Sequence, residues 1–518
     1  MAGLREEKPR NIIPNWRSLN VTARIGEIGS VSCLREELIL FPITDYVNAW
    51  KENNTVPYAS DLVSAAIMNG QVDLSDVKLA AEFIVNNSDY ATDSQINTAR
   101  SVLVSSNVRI EDNKPDSLED KLKRISVEDS VAKESVRLIR RSLDLYQHNP
   151  IAYCELSRNY ALLGELKKAE LAMDVAVQLN PKSRYISRSA ARLYLHVDEF
   201  DKAHRVIVNN PWLKKDPWLL ASEIAIDSLR GRNSRYIKVG KTILESENYS
   251  PFSVSELAGA IGSVELMNGN LKNCKSYFKR GLIRPNDNCL AQANWLVSEI
   301  PSINLSFSDY GYLTNKYEAD SWMAYYLDQY ETALMCSLDW IADMPFTRRP
   351  VQFAADMAYT YLKDYDVAIK IIKTGLCSNP GDDTLLNNLA FSHALNGNTE
   401  EAEAILSSIK IESTVIRKEA KVCLLATKGL NEYRKGNVEE GKNWYERAIE
   451  FAKKNKCNEG LIAKAKLNYY REKVRACPSC LEHLINEIED LDTGNAKETA
   501  QLKKDIKEEA DKHKRIES

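Results

Sequence analysis

The 518-residue sequence is short of several things at once, and each shortage removes a class of protein. No uncharged apolar run approaches the roughly 20 residues that a membrane-crossing helix needs, so no membrane span is expected. The opening residues, MAGLREEKPRNIIPNW, lack the apolar core of a secretory leader, and the expected compartment is the cytoplasm. Positive charge is not in excess: 69 Lys and Arg stand against 73 Asp and Glu, for a net charge of −4, and nothing draws the chain as a whole towards nucleic acid. Ten cysteines are scattered singly apart from Cys477 and Cys480, the habit of reduced thiols and not of a disulfide framework. Alternation of strand and helix patterns is missing too, which argues against β/α folds.

What the sequence does have is helical periodicity with regular punctuation. From Asn149 to Pro181 it reads NPIAYCELSRNYALLGELKKAELAMDVAVQLNP. Tyr153, Leu156 and Tyr160 make one helical stripe; Leu166, Ala169, Met173 and Ala176 make a second. Gly164 permits a tight reversal between them, and Pro181, without an N–H to donate, ends the second helix. Ala169 and Ala176 suit the line where two antiparallel helices come closest. One such hairpin cannot bury both of its faces, so it needs neighbours of its own kind.

At Tyr153, Leu156, Ser157, Tyr160, Gly164, Ala169, Ala176 and Pro181 the segment resembles a tetratricopeptide repeat, with Tyr where that family has Trp. Looser copies follow around Tyr194 and Ala203, Trp218 to Gly231, Gly262 to Phe278, Tyr330 to Pro345, Tyr359 to Pro380, Leu386 to Leu406, and Gly429 to Ala448. The resemblance implies an all-α fold, an α-solenoid of antiparallel helix pairs in about eight copies. Three regions are expected: residues 1–120 as an irregular segment plus a helical cap, 121–455 as the array, and 456–518 as capping helices and a charged tail. Helical patterns in the cap run Leu34–Trp50, Ala59–Met68, Leu74–Val85 and Ile96–Leu103. Residues 494–518, almost all charged or small, are expected not to pack tightly.

Motifs for chemistry are tested and set aside. Gly240-Lys241-Thr242 lacks the upstream glycine and strand of a phosphate loop, position 235 being Arg235. Cys477-Pro-Ser-Cys480 with His483 falls short of the four ligands of a structural zinc site, and the other histidines recur with no catalytic partner. No enzyme activity, no cofactor and no metal is expected.

The function implied by the resemblance is that of a non-catalytic interaction scaffold holding a protein or peptide partner in its concave groove. The family frame places Trp322, Tyr325, Tyr326, Phe353, Met357, Tyr361, Asn387 and Phe391 on that surface, a composition suited to recognition. The family's chaperone-tail clamp uses Lys and Asn, and the lysines that would accompany Asn387 and Asn388 are missing. Around Pro14, Trp16, Arg17 and Glu27 the N-terminal stretch is costly to leave unpaired in water and is expected to dock on the array or on a partner. That stretch also resembles the opening of tetratricopeptide proteins of bacterial conflict systems. It implies an alternative, a defence or toxin-like complex whose partner is a separate nuclease effector. A third reading, RNA binding by a helical-repeat protein, is opposed by the acidic charge balance. Homo-oligomers are compatible with all three readings, and partner and pathway stay open.

Overall fold

Many of the helix pairs of the array open on a residue that caps the start of a helix. Asn149, Asp216 and Ser250 accept hydrogen bonds from N–H groups of the first turn, and Pro150, Pro217 and Pro251 follow where no N–H is needed. Ser183, Asn286 and Asp382 cap their helices without a proline. The structure, a computed structural model, describes residues 10–17, 43–69, 71–72, 74–106, 116–126, 128–246, 248–300, 302–308, 310, 313, 315–409, 416–493 and 496–517. Among the described residues every regular element is helical.

They fall into two units. The smaller, residues 21–117 with 308–314, contains Ile43–Glu52, Val56–Asn69, Ser75–Asn86 and Asp93–Ser106. Its core gathers Trp50, Leu62, Val63, Val77 and Ile84, with Trp50 edge-on to Phe83 at 6.3 Å. The part of the Leu34–Trp50 pattern before Ile43 lies outside the described residues, as does Glu27.

The larger unit comprises residues 1–20, 118–307 and 315–518. Pro150–Leu162 pairs with Leu166–Leu179, Arg184–His196 with Phe200–Val208, Pro217–Leu229 with Ile237–Glu245, and Pro251–Met267 with Leu271–Gly281. After Asp287–Glu299 the described residues up to 316 are not helical. Asn294 Nδ2 donates to Ala319 O at 2.9 Å and ties that helix straight to the next pair, Tyr317–Tyr326 with Tyr330–Asp343. Arg348–Asp356 continues through a wide π-helical turn, Met357–Leu362, and pairs with Tyr365–Ser378. Asp383–Leu395 with Thr399–Ser408 and Lys418–Arg434 with Val438–Lys454 complete the array.

The backbone carries the repeat more evenly than the side chains do. Positive φ recurs at Gly164, Asp198, Gly231, Gly269, Asp328, Lys363, Gly397 and Gly436, for the most part at about the 34-residue period of this repeat class. Inside the first pair Ala169 and Ala176 are fully buried, and Ser157 Oγ donates to Ala169 O at 2.7 Å across the seam.

Coiling brings distant repeats of this unit together. Ser378 Oγ donates to Leu162 O at 2.8 Å, and the Gly164 turn lies against Pro380. Asp339 pairs with Lys121 and Arg124 of the helix Leu118–Ser126. At the other end Glu459–Ala476, Cys480–Asp490 and Ala496–Glu517 close the stack. The charged tail departs from expectation here. Leu502, Ile506 and Ala510 form a buried i, i+4, i+8 stripe, and their helix packs on Glu459–Ala476. Lys363 Nζ meets Asp505 at 2.6 Å, and Lys464 pairs with Glu498.

Gly164 and Gly231 have nearly the same conformation, φ +70 and +69, in different surroundings. A Cβ on Gly231 meets nothing within 4 Å, whereas one on Gly164 falls 2.8 Å from Pro380 Cδ and 2.9 Å from Cys377 O. Gly231→Ala should cost about 1–2 kcal/mol for the left-handed backbone alone. Gly164→Ala should cost roughly 1–3 kcal/mol more through overpacking. Chemical unfolding midpoints measure the difference; equal losses would mean that the Pro380 turn yields freely.

Candidate functional site: a peptide seat inside the array

Residues 10–17, Arg-Asn-Ile-Ile-Pro-Asn-Trp-Arg, run without regular structure against helices of the larger unit. Arg10 is 3% exposed. Its Nε and Nη2 donate to Glu318 Oε1 and Oε2 at 2.7 and 2.8 Å, its Nη1 to Gln292 Oε1 at 2.8 Å, and Nη2 also to Asn288 Oδ1 at 2.8 Å. Such fork-to-carboxylate geometry is among the strongest side-chain pairings. Burial alone would raise the Glu318 carboxyl. The Arg10 guanidinium, helped by Arg349 and Arg192, outweighs that and holds its pKa at about 2.

The network reaches deeper. Asn288 Nδ2 donates to Glu256 Oε1 at 3.1 Å, Asn286 Nδ2 to the same oxygen at 2.8 Å, and Arg188 grips Glu256 at 2.7 and 3.0 Å. Apolar anchors alternate with these polar ones. Ile12 is buried against Gly259, where a Cβ would stand 2.4 Å from its Cδ1; only glycine leaves that room. Trp16 is fully buried, edge-on to Phe346 at 5.4 Å. Cys154 lies beside Trp16 and Tyr185, and burial pushes its thiol well above the usual range.

Arg17 closes the segment. Its Nη2 reaches Asp287 Oδ2 at 2.6 Å, and its Nε reaches Asp343 Oδ1 at 2.7 Å. Burial works against the Arg17 charge, but the two carboxylates more than offset it and raise its pKa. Three bonds address the main chain of the segment: Gln292 Nε2 to Arg10 O at 2.6 Å, Asn288 Nδ2 to Ile13 O at 2.9 Å, and Tyr185 OH to Arg17 O at 3.2 Å. Beside Asn11 and Ile13 a cavity of about 440 Å³ remains, lined in part by Arg348, Arg349, Asp382, Thr384 and Arg417.

Of the residues singled out at the N-terminus, Pro14 and Trp16 are buried and Arg17 is partly so. Arg10 and Ile12 were not singled out, nor were their receivers Asn288, Gln292, Glu318 and Asp343. The available signal was the polar run Asn286-Asp287-Asn288, with Gln292 a turn later, in a region with few apolar repeat marks.

The aromatic positions assigned to the groove are mostly covered by the chain itself. Trp322 is 4% exposed and meets Phe353 at 4.9 Å; Tyr325 packs on Phe353 and on Tyr361, their hydroxyls 3.2 Å apart. Tyr361 also stacks on Tyr330 at 4.2 Å. Met357 is fully buried, and Phe391, buried against Tyr359, belongs to a separate contact. Asn387 is buried and accepts from Thr427 Oγ1 at 2.9 Å. Tyr326 keeps 38% exposure, under Lys497 of the last helix, whose Nζ donates to the Tyr325 and Tyr326 carbonyls. Gly240-Lys241-Thr242 is helical, with Lys241 paired to Glu265 at 3.0 Å.

Arg10→Ala strands a buried carboxylate and should cost about 3–5 kcal/mol. Adding Glu318→Gln should recover much of that loss, read as a double-mutant cycle on unfolding midpoints. An additive cycle would mean that the two groups do not interact. The depressed Glu318 pKa makes its share of docking complete above about pH 4.5, its ordinary value. That share is lost as pH falls towards about 2. Pepsin accessibility of residues 10–17 should therefore rise across that window, and less so in Glu318→Gln.

No protein-family model matches the chain, and no curated protein does. Among solved structures, two of the matches are these. A chain of the crystal structure of the APC/C hetero-tetramer Cut9–Hcn1 is 12% identical over 92% of this chain and 94% of that one, with a TM-score of 0.39. A chain of the structure of Naa15/Naa10 bound to HypK-THB is 13% identical over 88% of this chain and 87% of its own length, with a TM-score of 0.22.

Proposed function

We propose that the chain is a non-catalytic interaction scaffold whose array of tetratricopeptide-like helix pairs holds an extended protein segment. In this reading residues 10–17 occupy the seat that a partner's segment takes. The observation that carries it is the set of three side-chain bonds to main-chain oxygens of the seated segment, from Gln292, Asn288 and Tyr185. Every peptide carries such oxygens, so these bonds serve any extended guest of the right path. Selectivity falls to the side chains around them. Glu318, Asp287 and Asp343 favour basic residues, and the Phe346 wall favours an aromatic ring. The guest this seat fits is a basic, aromatic segment of a protein.

Competition decides what can be measured. A tethered segment acts at an effective concentration on the order of millimolar, so a free peptide of micromolar affinity would be suppressed by roughly 10²- to 10³-fold. A labelled peptide RNIIPNWR should bind the full chain carrying Trp16→Ala and Arg17→Ala, with its own segment loosened, and bind the unaltered chain at least about tenfold more weakly. Fluorescence anisotropy reads both. Failure of the altered chain to bind, with its helical circular dichroism intact, would mean that the seat serves only its own tether.

A further inference from the structure

We infer that His204, Glu223 and Asp227 form a binding site for one divalent transition-metal ion of the zinc class, stapling two successive helix pairs. His204 sits on Phe200–Val208, the second helix of one pair. Glu223 and Asp227, four residues apart on one face, sit on Pro217–Leu229, the first helix of the next. Among the described residues this is the place where three such donor atoms gather within 4.8 Å of one another. His204 Nε2 stands 3.4 Å from Glu223 Oε1 and 3.4 Å from Asp227 Oδ1. Those gaps are long for N–H···O bonds, which centre near about 2.9 Å. They match the edge of a tetrahedron, since ligand atoms about 2.0–2.1 Å from a central zinc lie roughly 3.4 Å apart.

A second observation points the same way. Glu223 is completely buried, and its Oε1 accepts no hydrogen bond. A buried carboxylate oxygen left empty-handed is costly, and a cation between it and the imidazole would satisfy it. Both carboxylates are braced as metal ligands usually are: Ser234 Oγ donates to the other oxygen of Glu223, Oε2, and Arg230 Nη1 donates at 2.7 Å to Asp227 Oδ1, the oxygen that faces His204. His204 is 20% exposed and leaves a way in for the ion and for a water as fourth ligand. An imidazole with two carboxylates selects zinc, cobalt or nickel over magnesium or calcium. Two carboxylates balance a divalent charge, while Arg230, Arg232 and Arg235 nearby weaken the site relative to an all-acidic one. Its ligands follow no metal-binding spacing, so the residues alone did not point to it, and no metal was expected.

The test uses the full chain stripped with chelator. Equilibrium dialysis against zinc should load one equivalent that survives Cys477→Ser with Cys480→Ser. His204→Ala and Asp227→Asn should each weaken that binding at least about tenfold. Cobalt in its place should give the visible absorption of a four-coordinate ion without a thiolate charge-transfer band. Zinc should also raise the melting temperature of the unaltered chain and not of His204→Ala. If His204→Ala fails to melt cooperatively in chelator, His204→Gln takes its place. The inference is overturned if no equivalent loads, as expected were the two carboxyls merely sharing a proton. It is equally overturned if the metal stays in the histidine variant or leaves with the cysteines.

Discussion

A guanidinium taken out of water must find all its hydrogen bonds in protein, and the larger unit is arranged so that Arg10 can. Its partners lie on two consecutive helices, Asp287–Glu299 and Tyr317–Tyr326, and they are in turn held by Glu256 and Arg188 on two earlier ones. No member of this line can be removed alone without leaving a buried charge or amide unmatched. The line therefore ties successive helix pairs in register, in addition to the alanine seams. It runs through the place where the repeat is weakest, since among the described residues no second helix follows Asp287–Glu299 before Tyr317–Tyr326.

The same arrangement accounts for the character of the inner face. Apolar seams hold the helices to one another. The inner face keeps amides and carboxylates, which can meet a main chain and a basic side chain with equal ease. Here that face holds residues 10–17 partly through main-chain oxygens, which do not depend on side-chain identity. Two features fit the side chains of this segment: the space over Gly259 that admits Ile12, and the wall at Phe346 that meets the Trp16 ring.

Much of the fold was legible because it is written locally. Gly164, Pro181 and the alanines of the first repeat declare a hairpin within 35 or so residues, the length of one unit. Where glycine was replaced at the same turn, by Asp198, Asp328 or Lys363, the signal faded although the backbone kept the conformation. The seat was half legible. Trp16 and Arg17 stood out as expensive to expose, but their receivers lie up to 326 residues away, and no local pattern reports such a pairing. The groove aromatics were placed by a family frame that gives a helix face and not a ring's direction. Trp322, Phe353 and Tyr325 point into one another. Composition misled at the tail, where charge hid the narrow stripe of Leu502, Ile506 and Ala510.

The long reach of Arg10 also has a bearing on how the chain is made. It is translated 308 residues ahead of Glu318, so at ordinary elongation speeds of about 5–20 residues per second the segment waits roughly 15–60 s for its carboxylate. Through much of that interval the seat is incomplete: the Gly259 space for Ile12 precedes Glu318 in the chain, but the Phe346 wall for Trp16 follows it. A nascent polypeptide of this design leaves residues 10–17 open to a chaperone or assembly partner that arrives before Glu318 and Phe346 have been made.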